Sequence, residues 1–516
     1  MLRKLGKGNG NGRRLPQAWL GVCLQVVALG ITVCSSMVAF AADLGPGCAP
    51  NRPAVSHHAV GVSVQAPKGE KAPIPCATAT GWRSSEVSIV VTDSGTILFQ
   101  PAVPPAGFPI AVLRSADLGE TWEHILPSQY NDPPRITAVD QNMRIERSTG
   151  RAFWLIGEPG GTDQEPRLDI SDDDGRSWFK ATQPPLPLDH SQIFNGPPTK
   201  RAMVPGNGSV VYVCQGHQPQ TCQESFDGGI TFGPGVALPF PPKLECAGGN
   251  YDFGLRGVVS RDGTVFVPFA PCNRPYIAIS HDEGNSWQLV NVAHTITLGF
   301  GEMPLGEDKD GNLYAAWVGS QDRLPYLSIS RDHGLNWSTP SMIGAPGVNE
   351  AAIPQLVAGA GGQVALTYYG STNAPKPFPP ACSSFSLDCP GYTQETWSTY
   401  ITETWDALAQ NPLFWSATLN DPTQPTWYGC SPSAISLQSL NATSGCLGFT
   451  NPAAPYWGRL DYYGATMARD GTAWVGFDQE CPGGLPVSGN PNCPGNLKGT
   501  GPDSLFGFVG RLVKVR

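Results

Sequence analysis

Arginine and acidic side chains recur at one position of an internal repeat in this 516-residue sequence, each just ahead of a short apolar run. Guanidinium groups that converge on one pocket can bind an anion, so we predict a polar, anion-accepting site. Each residue could instead line a solvated channel or form a salt bridge between repeats. The candidate binding residues are Arg201, Arg256 and Arg459, and the candidate catalytic residues are Glu302, Glu350, Asp461 and Tyr463.

The repeat that must position these residues is visible as an octet of the form S-x-D-x-G-x-[ST]-W. Its copies start 56, 54, 55 and 50 residues apart. A turn glycine followed by an apolar run precedes each octet, and two further glycines, Gly362 and Gly471, extend the series to seven units. The octets are "SADLGETW" from Ser115, "SDDDGRSW" from Ser171, "SFDGGITF" from Ser225, "SHDEGNSW" from Ser280 and "SRDHGLNW" from Ser330.

Composition and repeat length together indicate the fold. The chain contains 61 glycines and 51 prolines, which favours many tight turns and short strands. Each unit contains four apolar runs, so we predict an all-β fold, a β-propeller of four-stranded blades. Seven blades fit best, with six or eight possible. The last unit lacks one strand, and we expect the N-terminal segment Ala59–Gln65 ("AVGVSVQ") to supply it and close the ring.

The first residues have the pattern of a secretory signal. A basic start, an apolar stretch and an A-x-A site ending at Ala41 predict cleavage there, with an uncleaved anchor as the alternative. We therefore expect a secreted or periplasmic protein with no later membrane span. The predicted organisation is a signal peptide at 1–41, an arm with the closing strand at 42–85, and a propeller at 86–516. Disulfide-tied insertions are expected near 372–393, 425–455 and 481–504.

The net charge of the chain limits the kinds of partner that it can bind. Removing residues 1–41 takes five of the 33 cations and none of the 42 acidic residues, so the net charge becomes 28 − 42 = −14. Nucleic acid and anionic membranes are poor partners for such a chain. The sequence contains no motif for a cofactor or a metal, so we expect neither, and it does not indicate an oligomeric state.

Twelve cysteines follow the signal, and they occur as near neighbours. An even number of cysteines in an exported chain predicts six local disulfides, whereas a zinc site would need ligand spacings that are not found. The predicted pairs are Cys48 and Cys76, Cys214 and Cys222, Cys246 and Cys272, Cys382 and Cys389, Cys430 and Cys446, and Cys481 and Cys493.

The octets predict turn structure. An aspartate in a hairpin loop can accept backbone N–H bonds, and the glycine after it tolerates positive φ. A calcium loop is the alternative, but the twelve-residue pattern with its terminal glutamate is missing. The octets resemble the Asp-box of the sialidase (neuraminidase) superfamily, where the motif is a structural turn between the third and fourth strands of a blade. The corresponding aspartates are Asp117, Asp173, Asp227, Asp282 and Asp332.

This resemblance also implies a function. Exo-sialidases hold the sialic acid carboxylate with an arginine cluster and use a tyrosine nucleophile with a glutamate partner and an aspartate acid/base. By position, Arg201, Arg256 and Arg459 would form the cluster, Glu350 would be the glutamate partner, and Tyr463 or Tyr462 the nucleophile. The resemblance thus implies a glycan or glycoconjugate as ligand and an exo-glycoside hydrolase as the enzyme class.

Two segments depart from the sialidase pattern. The arginine segment that opens sialidases is replaced here by "SEVSIVV", with Ser85 at the arginine position, and "PAVPPAGFP" (Pro101–Pro109) offers no aspartate. Two hypotheses follow. The protein is a sialidase-like glycoside hydrolase with its acid residues among Glu302, Glu350 and Asp461, or it is a non-catalytic propeller that binds carbohydrate or protein.

Overall fold

Every repeated unit forms one antiparallel sheet, as the spacing of the turn glycines predicts. The computed structural model groups the strands into seven sheets of four strands or more. All of them belong to the unit Leu44–Arg516. The residues described are 44–84, 86–101, 110–126, 139–157, 167–182, 191–199, 208–216, 219–241, 256–295, 297, 303–374, 376, 396–428, 464–480 and 505–515.

The strands are short and follow one another as hairpins. In chain order they are β1 (Val55–His57), β2 (Ile74–Arg83), β3 (Ser88–Val91), β4 (Ile97–Gln100), β5 (Val112–Ser115), β6 (Glu123–Ile125), β7 (Val139–Glu146), β8 (Arg151–Gly157), β9 (Arg167–Ser171), β10 (Phe179–Thr182), β11 (Gln192–Gly196), β12 (Val210–Gln215), β13 (Thr221–Ser225), β14 (Val236–Ala237), β15 (Val258–Val259), β16 (Val265–Phe269), β17 (Tyr276–Ser280), β18 (Gln288–Asn291), β19 (Leu305–Glu307), β20 (Leu313–Val318), β21 (Pro325–Ser330), β22 (Ser341–Met342), β23 (Glu350–Ala358), β24 (Val364–Ser371), β25 (Thr396–Thr404), β26 (Phe414–Thr418), β27 (Trp427–Tyr428), β28 (Gly464–Met467), β29 (Ala473–Glu480) and β30 (Leu505–Val513).

The seven sheets are the blades of a closed propeller. Blades 1 to 5 consist of β3–β6, β7–β10, β11–β14, β15–β18 and β19–β22, and blade 6 consists of β23–β26 with β1 and β27 added. Blade 7 consists of β28–β30 and β2. The innermost strands β3, β7, β11, β15, β19, β23 and β28 each contact the next, and β28 contacts β3. The predicted all-β, seven-bladed fold is therefore confirmed.

An N-terminal strand closes the ring, but it is not the predicted one. β2 pairs with β30 from Ile74 opposite Val513 to Ala79 opposite Phe508. The prediction that Ala59–Gln65 forms this strand was wrong, because Ala59–Gly61 forms a 3-10 turn in which Val60 is 69% exposed. Alternating apolar residues predicted a strand there, but no sheet covers their apolar side chains.

The octets form the predicted turns between the third and fourth strands of blades 1 to 5. In the octet of blade 2, Asp173 accepts hydrogen bonds from the Ser171 hydroxyl (2.9 Å), the Ser177 N–H (2.9 Å) and the Ser177 hydroxyl (2.6 Å). The Gly175 N–H donates to the Ser171 hydroxyl (3.0 Å), and Gly175 has a φ of 79° that favours glycine. Equivalent bonds surround Asp117, Asp227, Asp282 and Asp332.

These bonds satisfy the octet aspartates without a metal. Burial opposes ionisation of Asp173, but the hydrogen bonds from Ser177 and Ser171 outweigh it and lower the pKa of Asp173. The octet aspartates therefore lie in hydrogen-bonded turns. The resemblance to sialidase-type Asp-box propellers is confirmed at the level of the fold.

The fourth residue of an octet also joins neighbouring blades. In blade 2 this residue is Asp174, whose carboxylate binds Arg114 of blade 1 at 2.9 Å. In blade 4 it is Glu283, which accepts a hydrogen bond from the Thr199 N–H of blade 3 at 2.7 Å. Asp174 accepts further bonds of 2.5 to 2.8 Å from the first turn of blade 1, donated by the hydroxyls of Thr92, Ser94 and Thr96.

Replacing Asp173 by alanine should destabilise the protein by about 1–2 kcal/mol, because several backbone and hydroxyl donors of the turn lose their acceptor. Asp172 in the same octet is a matched control, since its partner Arg151 forms a half-exposed ion pair of 2.7 Å. Asp172→Ala should cost about 0.5 kcal/mol or less. Urea denaturation curves of both variants measure the difference, and equal losses would contradict the assigned role of Asp173.

Candidate functional site

The inner strands bring residues from all seven blades to one channel. The turn from the first to the second strand of blade 1 lies beside the octet of blade 2, as the bonds of Asp174 show. This end of the propeller is called the octet face here. Because successive strands are antiparallel, the first residues of the inner strands lie at the opposite end, which is called the mouth.

Two arginines from blades 2 and 4 interact electrostatically. Arg256 precedes β15 of blade 4, Arg144 lies on β7 of blade 2, and both are half-buried. Burial and the positive charge of Arg256 lower the pKa of Arg144, so the two guanidinium groups lie close enough to repel each other. Within the described part of the chain, the Arg144 side chain has neither a carboxylate partner nor a hydrogen-bond acceptor.

A buried ion pair joins blades 5 and 6 at the mouth. Arg323 Nη1 donates to Glu350 Oε1 at 2.7 Å, and the side chains are 7% and 0% exposed. Glu350 is the first residue of β23, and Arg323 comes from the loop between β20 and β21. Arg323 has a φ of 57°, and its N–H donates to the Gly319 carbonyl at 3.0 Å, which fixes the loop. Glu350, the predicted glutamate partner of the tyrosine nucleophile, is therefore held in place by a basic residue from the neighbouring blade.

A second buried carboxyl group lies where blade 7 meets blade 1. Asp478 on β29 is 5% exposed. Burial raises the pKa of Asp478 to about 8, against the opposing effect of the Ser84 hydroxyl and the Glu86 backbone. Burial and the charge of Asp478 both raise the pKa of the neighbouring Tyr369 on β24 of blade 6. Asp478 is therefore largely protonated at neutral pH, and its surroundings come from three blades.

The described residues contain only part of the predicted site. Of the candidate residues, Arg256 and Glu350 are described, and each lies at the start of an inner strand as predicted. Five others lie outside the described residues, so their roles stay predictions. These are Glu302, Asp461 and Tyr463 of the catalytic set, and Arg201 and Arg459 of the binding set.

Two residues near the mouth were missed by the sequence analysis. Arg323 lies in a loop between second and third strands, whereas the prediction considered only the starts of first strands. Asp478 follows an apolar run in "WVGFDQE", and an acidic residue inside a strand of that kind was the available signal. Its altered pKa comes from burial between blades, which the sequence does not show.

The disulfide prediction is confirmed where the structure describes the side chains. Cys48 bonds Cys76, and Cys214 bonds Cys222 across β12 and β13. The remaining predicted pairs lie outside the described side chains. Two disulfides fit an extracellular or periplasmic protein. The predicted signal peptide and the central parts of the three predicted insertions also lie outside the described residues.

No group of three His, Cys, Asp or Glu side chains among the described residues could hold a metal ion. No helix in the described ranges is long and apolar enough to cross a bilayer.

Comparison with known proteins gives one weak relative in sequence. No known protein-family profile matches the chain. Xyloglucanase Xgh74A of Acetivibrio thermocellus is 27% identical over 195 residues, which cover 34% of this chain and 21% of the xyloglucanase. The chain thus spans about a fifth of the length of the curated relative that it matches.

Solved structures with a similar chain path have low sequence identity. A protein of unknown function from Dyadobacter fermentans has a TM-score of 0.40 at 12% identity, covering 85% of this chain and 98% of that one. The Hadza microbial sialidase Hz136 has a TM-score of 0.38 at 15% identity, covering 84% and 66%. YCF48 bound to D1 peptide has a TM-score of 0.42 at 11% identity, covering 85% and 95%. The fold assignment itself rests on the strand pairing and the octet turns.

The raised pKa values of two buried carboxyl groups predict how the stability of the folded protein depends on pH. Burial raises the pKa of Asp478, and of Glu403 on β25, to about 8. Because the folded state holds these protons more tightly than the unfolded state, their stabilising effect is complete below about pH 4 and is lost as pH rises towards 8. The free energy of unfolding should fall by up to about 1.4 kcal/mol per pH unit for each group in that range.

Asp478→Asn and Glu403→Gln should each reduce this fall, so thermal midpoints measured between pH 5 and pH 9 should decline less than in the wild type. Asp174→Asn is a control, because the pKa of Asp174 is shifted in the opposite direction. Burial opposes its ionisation, but hydrogen bonds from Thr92 and its neighbours lower the pKa of Asp174, so that variant should lose stability at neutral pH. An unchanged pH dependence in Asp478→Asn would show that this carboxyl group is ionised in the folded protein.

Proposed function

We propose that this protein is a glycan-acting propeller that binds acidic glycans, of the sialic acid type, in its channel. The observation that carries the proposal is the pair Arg144 and Arg256. Arg144 is half-buried and has no acceptor in the described part of the chain, while the charge of Arg256 acts on it. A carboxylate placed between the two guanidinium groups would remove the repulsion and accept charge-assisted hydrogen bonds.

Two further observations support a glycan as the bearer of that carboxylate. The octets resemble those of the sialidase superfamily, and a stretch of the chain matches a xyloglucanase at 27% identity. The matched relative takes its name from a neutral glycan, whereas the arginine pair favours an acidic one. The arginines favour the acidic class, because the Arg144 side chain has no acceptor in the described part of the chain and would gain most from a charged ligand.

Hydrolysis is the second part of the proposal. Glu302, Glu350, Asp461 and Tyr463 are the proposed catalytic residues and Arg201 and Arg459 the further binding residues, by their position in the repeat. A tyrosine suits an acidic substrate, because a carboxylate nucleophile would be repelled by the substrate's own charge. The mouth also contains Glu350, which forms an ion pair with Arg323, and Asp478, whose pKa is raised to about 8 by burial. The alternative is a propeller that binds the same glycans without cleaving them.

Arg144→Gln should weaken binding of sialyllactose at least tenfold, because a charge-assisted bond is worth about 1.5–3 kcal/mol. The same variant should have a higher thermal midpoint than the wild type in the absence of ligand, since an unpaired charge is removed. Titration calorimetry and thermal scans measure both. Arg176→Ala is the control, because Arg176 is 61% exposed at the octet face.

Two results would refute the acidic-glycan proposal. One is equal affinity of the wild type for sialyllactose and lactose, and the other is loss of stability in Arg144→Gln together with unchanged binding. Xyloglucan oligosaccharides form the third arm of the titration. Displacement of bound sialyllactose by these neutral sugars would locate them in the channel and would favour the neutral class over the acidic one.

Catalysis is tested separately with a fluorogenic aryl sialoside. The wild type should release the fluorophore, and Tyr463→Phe and Asp461→Asn should lower the rate at least a hundredfold while sialyllactose still binds. Binding without release from the wild type would establish the non-catalytic alternative.

A further inference from the structure

Each octet ends in an aromatic side chain that packs between two blades. Trp178 of blade 2 is 1% exposed and lies in the apolar core formed by blades 1 and 2. Phe232 packs between blades 2 and 3, and Trp287 between blades 3 and 4. Trp337 packs between blades 4 and 5. The octet of one blade therefore fills the space beside the preceding blade.

Blade 6 has only the beginning of an octet. The Thr404 hydroxyl donates to Asp406 at 2.7 Å and the Asp406 N–H returns to Thr404 at 3.2 Å, as in the other octets. The next donor to this carboxylate is the Leu413 N–H at 3.0 Å, seven residues on, where the octets use a donor four residues on. Neither the glycine nor the closing aromatic is present, and Ala407 and Ala409 occupy that stretch.

A groove of about 450 Å³ lies between blades 5 and 6 where the aromatic is missing. This volume is within the range of small-molecule sites, roughly 300–1,000 Å³. The apolar part of its lining is Leu327, Ile343 and Phe414, all buried, and the half-buried Trp337. The indole N–H of Trp337 donates to the Gly334 carbonyl at 3.0 Å, which fixes the orientation of the ring.

The N-terminal arm braces the two blades on either side of the groove. β1 pairs with β26 of blade 6, the His58 ring bonds the Pro412 carbonyl (2.9 Å), and His57 stacks on Phe414 at 5.6 Å. Gly61 of the same arm packs so closely on blade 5 that an added Cβ would lie 3.2 Å from the Gly344 carbonyl. The groove is therefore formed before any ligand binds.

The charged side chains at the groove are already engaged. Asp332 accepts bonds from Ser330 and Asn336 within its octet, and Arg331 donates to the Leu408 carbonyl at 2.7 Å. The uncharged side chains of Thr339, Ser341 and Gln410 line the rim. A ligand that matches this groove has an apolar face and uncharged hydrogen-bonding groups at its edge.

We propose that the groove between blades 5 and 6 is a binding site for a neutral sugar unit, separate from the channel. The C–H face of a pyranose would pack on the half-buried Trp337, and its hydroxyls would bond Gln410 and Thr339 at the rim. The proposal does not depend on the function proposed for the channel, because the two sites share no residues and favour ligands of different charge.

The test uses the full protein with xyloglucan oligosaccharides, cellotetraose and methyl glucoside as probes. Saturation-transfer NMR should show contact of at least one probe with the wild type, and titration should give its affinity. Ala409→Trp fills the groove from an exposed position and should weaken that affinity at least tenfold. Leu335→Trp is the control, since Leu335 is 53% exposed beside the groove but does not line it.

The binding results expected for the groove can be distinguished from those expected for the channel. Ala409→Trp should leave sialyllactose binding unchanged, and Arg144→Gln should leave neutral-sugar binding unchanged. Trp337→Ala adds a second test, provided that its circular dichroism spectrum matches the wild type. No saturation transfer to any neutral probe at millimolar concentration, or equal affinity in the wild type and Ala409→Trp, would overturn the proposal.

Discussion

The propeller depends on one antiparallel ladder between its two chain ends. β2 is the outermost strand of blade 7, and it is paired with β30, the last strand of the chain. Without this pairing blade 7 would have three strands and an exposed edge, and blade 1 would not be held against it. The chain passes directly from β2 to β3, the inner strand of blade 1. The residues of this connection, Ser84 and Glu86, are those that face Asp478 at the mouth. Ring closure and the surroundings of a candidate site residue are thus the same structural feature.

The N-terminal arm reinforces the ladder from both sides. The Cys48–Cys76 disulfide ties the arm to β2, and the Arg511 guanidinium of β30 donates to the Leu44 carbonyl of the arm at 3.3 Å. The arm also reaches blade 6, where Arg52 donates to the Asn420 carbonyl at 2.9 Å. A disulfide stabilises most by restricting the unfolded chain, and this one restricts the segment that must find its partner strand over the full length of the sequence.

The sequence predicts the parts of this structure that depend on local hydrogen bonds. In an octet the serine, aspartate and glycine each have at least one partner within four residues, so the motif can be recognised without knowledge of the fold. The closing strand was misplaced because Ala59–Gln65 and β2 are both short apolar alternations, and only pairing with β30 distinguishes them. Of the Arg323–Glu350 ion pair, only Glu350 was predicted from the sequence. Glu350 could be found by its position in the repeat, but its partner lies in a loop whose position depends on how two blades pack.

Blade 6 shows how one irregular repeat can change the chemistry of a regular fold. Its third-to-fourth connection keeps the threonine and aspartate that start the turn and loses the aromatic that would fill the space beside blade 5. The additional strands β1 and β27 widen the same blade. The resulting groove lies at the octet face, where Asp332 accepts bonds within its octet and Arg331 donates to the Leu408 carbonyl. The channel differs, because Arg144 on the inner strand β7 has no acceptor within the described part of the chain. Since the two places share no residue and lie at different parts of the blades, substitutions in one should act independently of substitutions in the other.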